Sequence, residues 1–367
     1  MHHPARMNRR LILLLLFVFA LPVAAKRRAA HTPALFPRCS MVTGTAAVTF
    51  THDEGRTLAP SAERLEPVAY TWGVASMLDD LDTLVAWHKD DLLISTDAGC
   101  SWRVEATIPG AEFPPTVTPA QGGRAYAWSE NRSFLVRYDS RGARKLKQPV
   151  DFMGLGADPA NGEHLRAGGS DGSIWESTDG GETWTHIGAL AGNPLIYRFT
   201  FDPANLDHIV AGAVTNGAYV SRDGGKNWTR ATGIAARMAN VFQLVFSPVD
   251  SNRVWAMGID VDNTDDTAHG RHIYVSDDGG TTYRPVVDEE PGVKLINGPI
   301  MAAHPTNRDV LYFIFGTHIF DYGTDVFRYD LATDTLTLAH NDQQGVNAIA
   351  FSRRDPRVMY LGLERVE

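Results

Sequence analysis

An octet recurring at intervals near 44 residues, an apolar strand–turn–strand phrase ahead of it, and an unpartnered copy of that phrase at the C-terminus together predict an all-β fold. The architecture they imply is a seven-bladed β-propeller of four-stranded antiparallel blades, closed by strands from both termini.

The octet reads Ser177-Thr-Asp-Gly-Gly-Glu-Thr-Trp184 and returns as Ser221-Arg-Asp-Gly-Gly-Lys-Asn-Trp228, Ser276-Asp-Asp-Gly-Gly-Thr-Thr-Tyr283 and Ser95-Thr-Asp-Ala-Gly-Cys-Ser-Trp102. Ser95 and Ser177 are 82 residues apart, against 44 from Ser177 to Ser221, so the longer gap holds two units. Thr51-His-Asp-Glu-Gly-Arg-Thr-Leu58 keeps the Asp, the Gly and the Thr 44 residues before Ser95 and is a fifth copy. Arg137-Tyr-Asp-Ser-Arg-Gly142 and Arg328-Tyr-Asp-Leu-Ala-Thr-Asp334 keep the position of two more and read as ordinary hairpins. Hairpins are therefore expected at residues 51, 95, 137, 177, 221, 276 and 328.

Turn chemistry explains the octet. A short Asp side chain accepts hydrogen bonds from backbone N–H groups just ahead of it, and glycine supplies the positive φ of a tight turn. Asp53, Asp97, Asp179, Asp223 and Asp278 take that role. The closing aromatics Trp102, Trp184, Trp228 and Tyr283 begin the next strand and offer a flat face to wedge between neighbouring sheets. The pattern S-x-D-x-G-x-x-W resembles the Asp box, or BNR repeat, of sialidases, sortilin ectodomains, photosystem II assembly factors and oligoxyloglucan-releasing glycosidases. That resemblance implies a propeller whose boxes are structural fasteners, and among those relatives it points to a non-catalytic single-propeller member.

The second phrase appears as Phe199-Thr-Phe-Asp-Pro-Ala-Asn-Leu-Asp-His-Ile-Val-Ala-Gly212, at Leu244–Gly258 and at Met301–Tyr312. Two strands before each box and one on either side of its turn make a blade A-B-C-D, written from the axis outward. The last copy, Ile349–Gly362, has no box after it, while the box at Thr51 has room for strand C but no A–B phrase. One blade shared by the two ends resolves both and removes an open sheet edge. Eight blades, or an imperfectly closed ring, are the alternatives.

Of the 367 residues, 33 are Gly, 16 Phe, 11 Tyr and 8 Trp, spread among short apolar strands. The net charge is −9, and −12 beyond residue 25, because the first 25 residues carry Arg6, Arg9 and Arg10 with no acid. An acidic body without Lys/Arg stripes argues against a nucleic-acid partner. Arg9-Arg10, the apolar run Leu11–Leu21 and Val23-Ala-Ala25 form a secretory signal, with cleavage after Ala25. The apolar run is short for a membrane span. An uncleaved anchor is the alternative, because Lys26-Arg27-Arg28 follows directly. The expected organisation is a signal over 1–25, an N-terminal segment over 26–38 and one propeller over 39–367, exported to a periplasmic or extracellular space as a monomer. Cys39 and Cys100 are the only cysteines, and in an exported chain they suggest a disulfide, with two unpaired buried thiols as the alternative.

Function is expected on the face opposite the boxes, where the D–A and B–C loops gather around the channel mouth. The candidate ligand-binding residues there are Tyr70, Trp72, His88, Asp91, Asp171, Tyr197, Arg198, Asn216, Arg237, Asn240, Asp262, Asp321 and Tyr322. The loop 260–266 has the oxygen-rich spacing of a calcium site but lacks the glycine and distal Glu of an EF-hand, so it reads as a solvated acidic loop. His269 and His272 have no third histidine or cysteine beside them to hold zinc. No cofactor is expected.

Sialidases carry a Phe/Tyr-Arg-Ile-Pro motif ahead of the first box; the corresponding stretch here, Phe36-Pro-Arg-Cys39, has another order. The oligoxyloglucan-type enzymes set their acids across a cleft between two propellers, and this chain has one. The resulting reading is an exported, non-catalytic propeller that binds a protein or carbohydrate through its loop face. The alternative is a sialidase-like or other glycoside hydrolase, which requires two carboxyl groups facing each other across one pocket, for instance from Asp91, Asp171, Asp262 or Asp321.

Overall fold

Every regular element among the described residues is a β-strand. The computed structural model describes residues 36–66, 70–111, 115–130, 134–234, 238–261, 270–288, 295, 300–315, 324–341 and 345–365. The signal and the start of the N-terminal segment lie outside them, as do Arg237, Asp262, Asp321, Tyr322, His269 and most of the acidic loop.

The chain opens with β1 (Val48–Thr51). Blade 1 is β2 (Gly73–Ser76), β3 (Leu84–His88), β4 (Asp91–Ser95) and β5 (Arg103–Thr107). Blade 2 is β6 (Thr116–Ala120), β7 (Arg124–Trp128), β8 (Leu135–Asp139) and β9 (Gly142–Leu146). Blade 3 is β10 (Phe152–Ala157), β11 (Leu165–Gly169), β12 (Ser173–Ser177) and β13 (Thr185–Ala189). Blade 4 is β14 (Ile196–Asp202), β15 (Asn205–Ala213), β16 (Gly217–Ser221) and β17 (Thr229–Arg230). Blade 5 is β18 (Ala239–Ser247), β19 (Asp250–Asp260), β20 (Arg271–Ser276) and β21 (Arg284–Asp288). Blade 6 is β22 (Met301–Ala303), β23 (Val310–Phe315), β24 (Thr324–Asp330) and β25 (Thr335–Asn341), and the chain ends in β26 (Gly345–Phe351) and β27 (Met359–Glu364). Each of the six middle blades is an antiparallel four-stranded sheet in chain order.

The seventh blade joins the two ends. β1 pairs antiparallel with β27 from Val48↔Gly362 to Thr51↔Met359, and β27 pairs with β26. This blade departs from the expected four strands, because its ladder holds three. Ala59 N–H still donates to Phe50 O at 2.9 Å, but Pro60 follows and has no N–H with which to extend a strand D. Val42 bridges Ser61, and Thr43 bridges Ser101 of the blade 1 box, so this short segment sews the seventh blade to the first. Cys39 and Cys100 are bonded there, across a sequence separation of 61. Two bridges and the disulfide thus join this segment to its neighbours. Gly44, at φ 83°, is required in the same seam, since a Cβ would lie 1.9 Å from Trp102 O.

The five boxes close alike. In the box at Ser177, Ser177 Oγ donates to Asp179 Oδ1 at 2.8 Å, and Gly181 N–H donates back to Ser177 Oγ at 2.8 Å. Thr183 then donates its N–H and its hydroxyl to the two Asp179 oxygens at 2.9 and 2.6 Å, and Trp184 Nε1 donates to Gly181 O at 3.1 Å. Asp53, Asp97, Asp223 and Asp278 hold the residue four ahead in the same way, at 2.8 to 2.9 Å from its backbone nitrogen. Asp139 and Asp330 close plain turns, as expected. Tyr283 lacks the indole N–H, and its hydroxyl is buried without a partner. The closing aromatics pack into the clusters between sheets: Trp184 lies against the cluster that holds Tyr126 and Leu135 of blade 2 with Phe152 of blade 3, and Trp228 against the one that holds Ile174 of blade 3 with Phe199 of blade 4.

These bonds set the acid limit. The side chain and backbone of Asn227 hold Asp223 down to about 2. Burial works in the opposite direction at Asp53, Asp97, Asp179 and Asp278, yet their hydrogen bonds keep all four below the usual carboxylate range. A carboxyl group with a lowered folded pKa contributes stability above its unfolded pKa and loses it as pH falls through the folded one. Thermal unfolding is therefore expected to shift downward from about pH 4 toward pH 2. In Asp179→Ala, about 1 to 3 kcal/mol of stability is lost at neutral pH, because the Ser177 hydroxyl and the two Thr183 donors lose their charged acceptor; unchanged unfolding would contradict the fastener role.

The ring is locked on the box face. The first N–H of a box turn donates to the A–B turn of its own blade, as from Ala98 to Asp82 O and from Gly180 to Glu163 O, both 2.8 Å. Boxes and A–B turns therefore share one face, and the D–A and B–C loops occupy the other. Strand B then reaches the next blade: Tyr126 Oη donates to Gly162 O, Arg166 to Leu206 O, His208 Nε2 to Gly279 O, Tyr312 to Glu54, and Tyr360 to Ala98 O. The apolar core is correspondingly divided into clusters between adjacent blades, such as Ile174, Phe199 and Ile209 between blades 3 and 4.

Candidate functional site

The seven A strands surround an axial cavity of about 680 Å³, each contributing to its wall: Val74, Thr118, Leu155, Thr200, Leu244, Met301 and Ala348. Residues at the start of those strands, Trp72, Arg198, Gln243 and Asn347, line its loop-face end, and A–B turn residues Pro203, Pro248 and Arg353 line the other.

Two candidate residues line the mouth. Trp72 is 38% exposed, and Arg198 is held by Glu130, 2.6 Å away across the blade 3 sheet edge. Arg198 is mostly covered, and its Nε has no hydrogen-bond partner. Tyr197 packs at a tilt against Phe242 of the next blade, with ring centroids 4.5 Å apart. Asn240 Oδ1 accepts from Thr215 N–H at 2.7 Å and ties the same two blades, while Asn216 Nδ2 donates to Val214 O.

The remaining described candidates belong to blades 1 and 3. His88 Nδ1 lies 2.8 Å from Thr71 Oγ1, beside Tyr70, and burial pushes its ring below the usual histidine range. A neutral imidazole at pH 7 follows. Asp91 accepts from Thr107 Oγ1 at 2.5 Å, and Asp171 accepts from Ser173 Oγ at 2.5 Å and its N–H at 3.0 Å. Each of these carboxylates fastens its own hairpin, in blades that are not neighbours. The carboxyl pair needed for glycoside hydrolysis is not formed between them. Among the described residues no cluster of His, Cys, Asp or Glu is arranged to hold a metal.

Residues outside the candidate set complete the face. Leu195 is 68% exposed, Met238 41% and Val261 40%, all at the loop ends of blades 4 and 5. Leu195 O accepts Val214 N–H, and Met238 O accepts Val261 N–H, so each is anchored by backbone rather than mobile by construction. With Tyr197 and Phe242 they place five apolar side chains at the loop ends of two adjacent blades. Their apolar letters blend into the strand pattern, and the one sequence signal is Asn193-Pro194, a turn that leaves Leu195 outside its strand. Glu130 sits in a loop expected at this face, but only the structure pairs it with Arg198.

Comparison with known proteins agrees with this architecture. The family model for sortilin (neurotensin receptor 3) matches residues 172–294, the stretch that carries three of the boxes. The structure of YCF48 bound to D1 peptide superposes with a TM-score of 0.57 at 12% identity, covering 82% of this chain and 93% of that one. YCF48 from Cyanidioschyzon merolae gives 0.57 at 13% identity, covering 82% and 97%. An ancestral GH74 enzyme gives 0.52 at 16% identity, covering 77% of this chain and 40% of that one. At such identities these likenesses show the fold alone, an Asp-box propeller. The dispase autolysis-inducing protein of Streptomyces mobaraensis is 48% identical over 339 residues, 90% of each chain. This chain therefore belongs to the family of the dispase autolysis-inducing protein.

Proposed function

We propose that the chain is an exported, non-catalytic propeller that holds a protein on its loop face, and that this protein is a protease of the dispase kind whose self-cleavage it promotes. The observation carrying the proposal is the set of apolar side chains Leu195, Tyr197, Met238, Phe242 and Val261 at the loop ends of blades 4 and 5, on the face where Trp72 and Arg198 line the cavity mouth. Exposed apolar side chains grouped on one surface are the usual mark of a protein contact. Rigid presentation favours binding as well, since a face fixed by the ring loses little freedom on association. The name borne by the Streptomyces mobaraensis relative supplies the partner. Export is supported by the signal-like start of the sequence and by the disulfide.

Isothermal titration of residues 26–367 with inhibitor-blocked dispase tests the proposal. Saturable binding is expected, and with active dispase faster appearance of dispase fragments. Leu195→Asp combined with Val261→Asp weakens binding by about tenfold or more, because a charge is buried at the contact, while thermal unfolding stays unchanged. Absence of both heat and fragments, or undiminished binding by the variant, would overturn the proposal. Release of sugars from a polysaccharide panel by the purified chain would instead favour a hydrolase.

A further inference from the structure

The chain has two cysteines, and the Cys39–Cys100 bond uses both, so it offers an oxidant no thiol. Its reactive sulfur is that of methionine, a thioether that takes one oxygen from a peroxide and turns from an apolar side chain into a polar one. Nine methionines are present, of which Met1 and Met7 lie outside the described residues. Met77, Met153, Met257, Met301 and Met359 are buried, each within one of the apolar clusters between blades. Among the described residues, Met41 and Met238 alone are exposed methionines, at 44% and 41%.

These two sit in different places. Met41 lies in the N-terminal seam, between Cys39 and the Val42 bridge to Ser61. Met238 directly precedes β18 at the loop end of blade 5, where its carbonyl accepts Val261 N–H at 3.0 Å. It therefore stands beside a second exposed apolar residue. Ala239↔Asp260 is the first pair of the β18–β19 ladder, so both Met238 and Val261 are fixed at the end of that sheet. A methionine that is exposed and held by its backbone is open to a small oxidant, yet keeps its place in a contact.

We propose that Met238 is a peroxide-sensitive modification site whose oxidation releases the protein held on the loop face, an inference that rests on the protein-binding role proposed above. The thioether sulfur attacks one oxygen of hydrogen peroxide, an S–O bond forms and the O–O bond breaks. The departing hydroxide takes the proton of the transferred hydroxyl and leaves as water, so sulfur is oxidised by two electrons and the peroxide reduced by two. In the free chain, water satisfies the new sulfoxide oxygen. A partner that packs an apolar surface on Met238 strips that water and leaves a polar acceptor unpaired, so affinity falls. The fold is untouched, because Met238 belongs to none of the buried clusters.

The test treats the full chain with hydrogen peroxide, removes the oxidant, maps the added oxygen by peptide mass spectrometry and titrates the product with inhibitor-blocked dispase. Peptides holding Met41 and Met238 are expected to gain oxygen ahead of those holding the five buried methionines. Affinity is expected to fall by about tenfold, with thermal unfolding unchanged. Met238→Leu, which nearly conserves volume, is expected to bind as the unmodified chain does and to keep its affinity after peroxide. Met41→Leu is expected to lose affinity on treatment as the parent chain does. Oxidation of Met238 no faster than of the buried methionines, unchanged binding once its sulfoxide has formed, or an equal loss in treated Met238→Leu would overturn the switch while leaving the protein-binding role standing. Absence of binding by the untreated chain would overturn that role and the switch together.

Discussion

Serine in place of both Cys39 and Cys100 is expected to lower the stability of the folded chain by about 4 kcal/mol, the loop-closure value for a bridge spanning 61 residues. With an unfolding entropy of roughly 2 cal/mol/K per residue, the midpoint moves down by about 6 °C. The loss is large because the bridge reinforces the closure of the ring. Val42 and Thr43, just beyond Cys39, carry the backbone bridges to Ser61 and Ser101, and β1 then supplies the third strand of the seventh blade. A differential scan of the double variant beside the oxidised chain measures the effect. Equal midpoints would mean that the N-terminal seam adds nothing to closure.

The second large effect is expected at Arg166. Its side chain is buried on strand β11, where Nη2 lies 2.6 Å from Glu176, and Nη1 reaches Asp207 at 2.6 Å and Leu206 O at 2.9 Å in the next blade. Asp207 is 58% exposed, so water screens that leg and it contributes little. Glu176 and the Leu206 carbonyl are better shielded. Arg166→Ala leaves a carboxylate and a carbonyl without their donor, at a cost of about 3 kcal/mol, the lower end for a broken buried pair. Glu176 also accepts from His164 Nε2 at 2.9 Å, which keeps part of its compensation in the variant. A double-mutant cycle with Glu176→Gln is expected to give a coupling of about 1 to 2 kcal/mol. Loss below about 0.5 kcal/mol in Arg166→Ala would place the blade 3 to blade 4 contact in the apolar cluster alone.

Much of this architecture is written in short-range chemistry. The side chains of Ser177, Asp179 and Thr183 bond within the octet, so the box is legible wherever those letters recur. Asp139 and Asp330 show that the spacing survives loss of the box. Sharing of one blade by the termini was legible too, because Ile349–Gly362 lacks a box and Thr51 lacks an A–B phrase. Contacts between blades were not. Tyr126, Arg166, His208, Tyr312 and Tyr360 perform one task with three residue types, so no single letter marks it. The missing fourth strand of the seventh blade turns on Pro60, a single residue within an otherwise ordinary stretch.

The loop face was legible only in position. Topology places Trp72, Tyr197 and Arg198 there, yet the pairing of Arg198 with Glu130 and the packing of Tyr197 against Phe242 join separate blades. Asp91 and Asp171 read as candidate acids until each is seen bound to its own hairpin hydroxyl. Leu195, Met238 and Val261 escape a search for polar chemistry, because what distinguishes them is exposure.

Amide hydrogen exchange of the chain, alone and mixed with inhibitor-blocked dispase, tests the central claim most directly, that the loop face is the protein-binding surface. Slower exchange in the mixture is expected in peptides covering residues 191–197, 214–217 and 238–243, with box peptides 95–102, 177–184 and 221–228 unchanged. Protection confined to the boxes, or to the rim at β9, would contradict it.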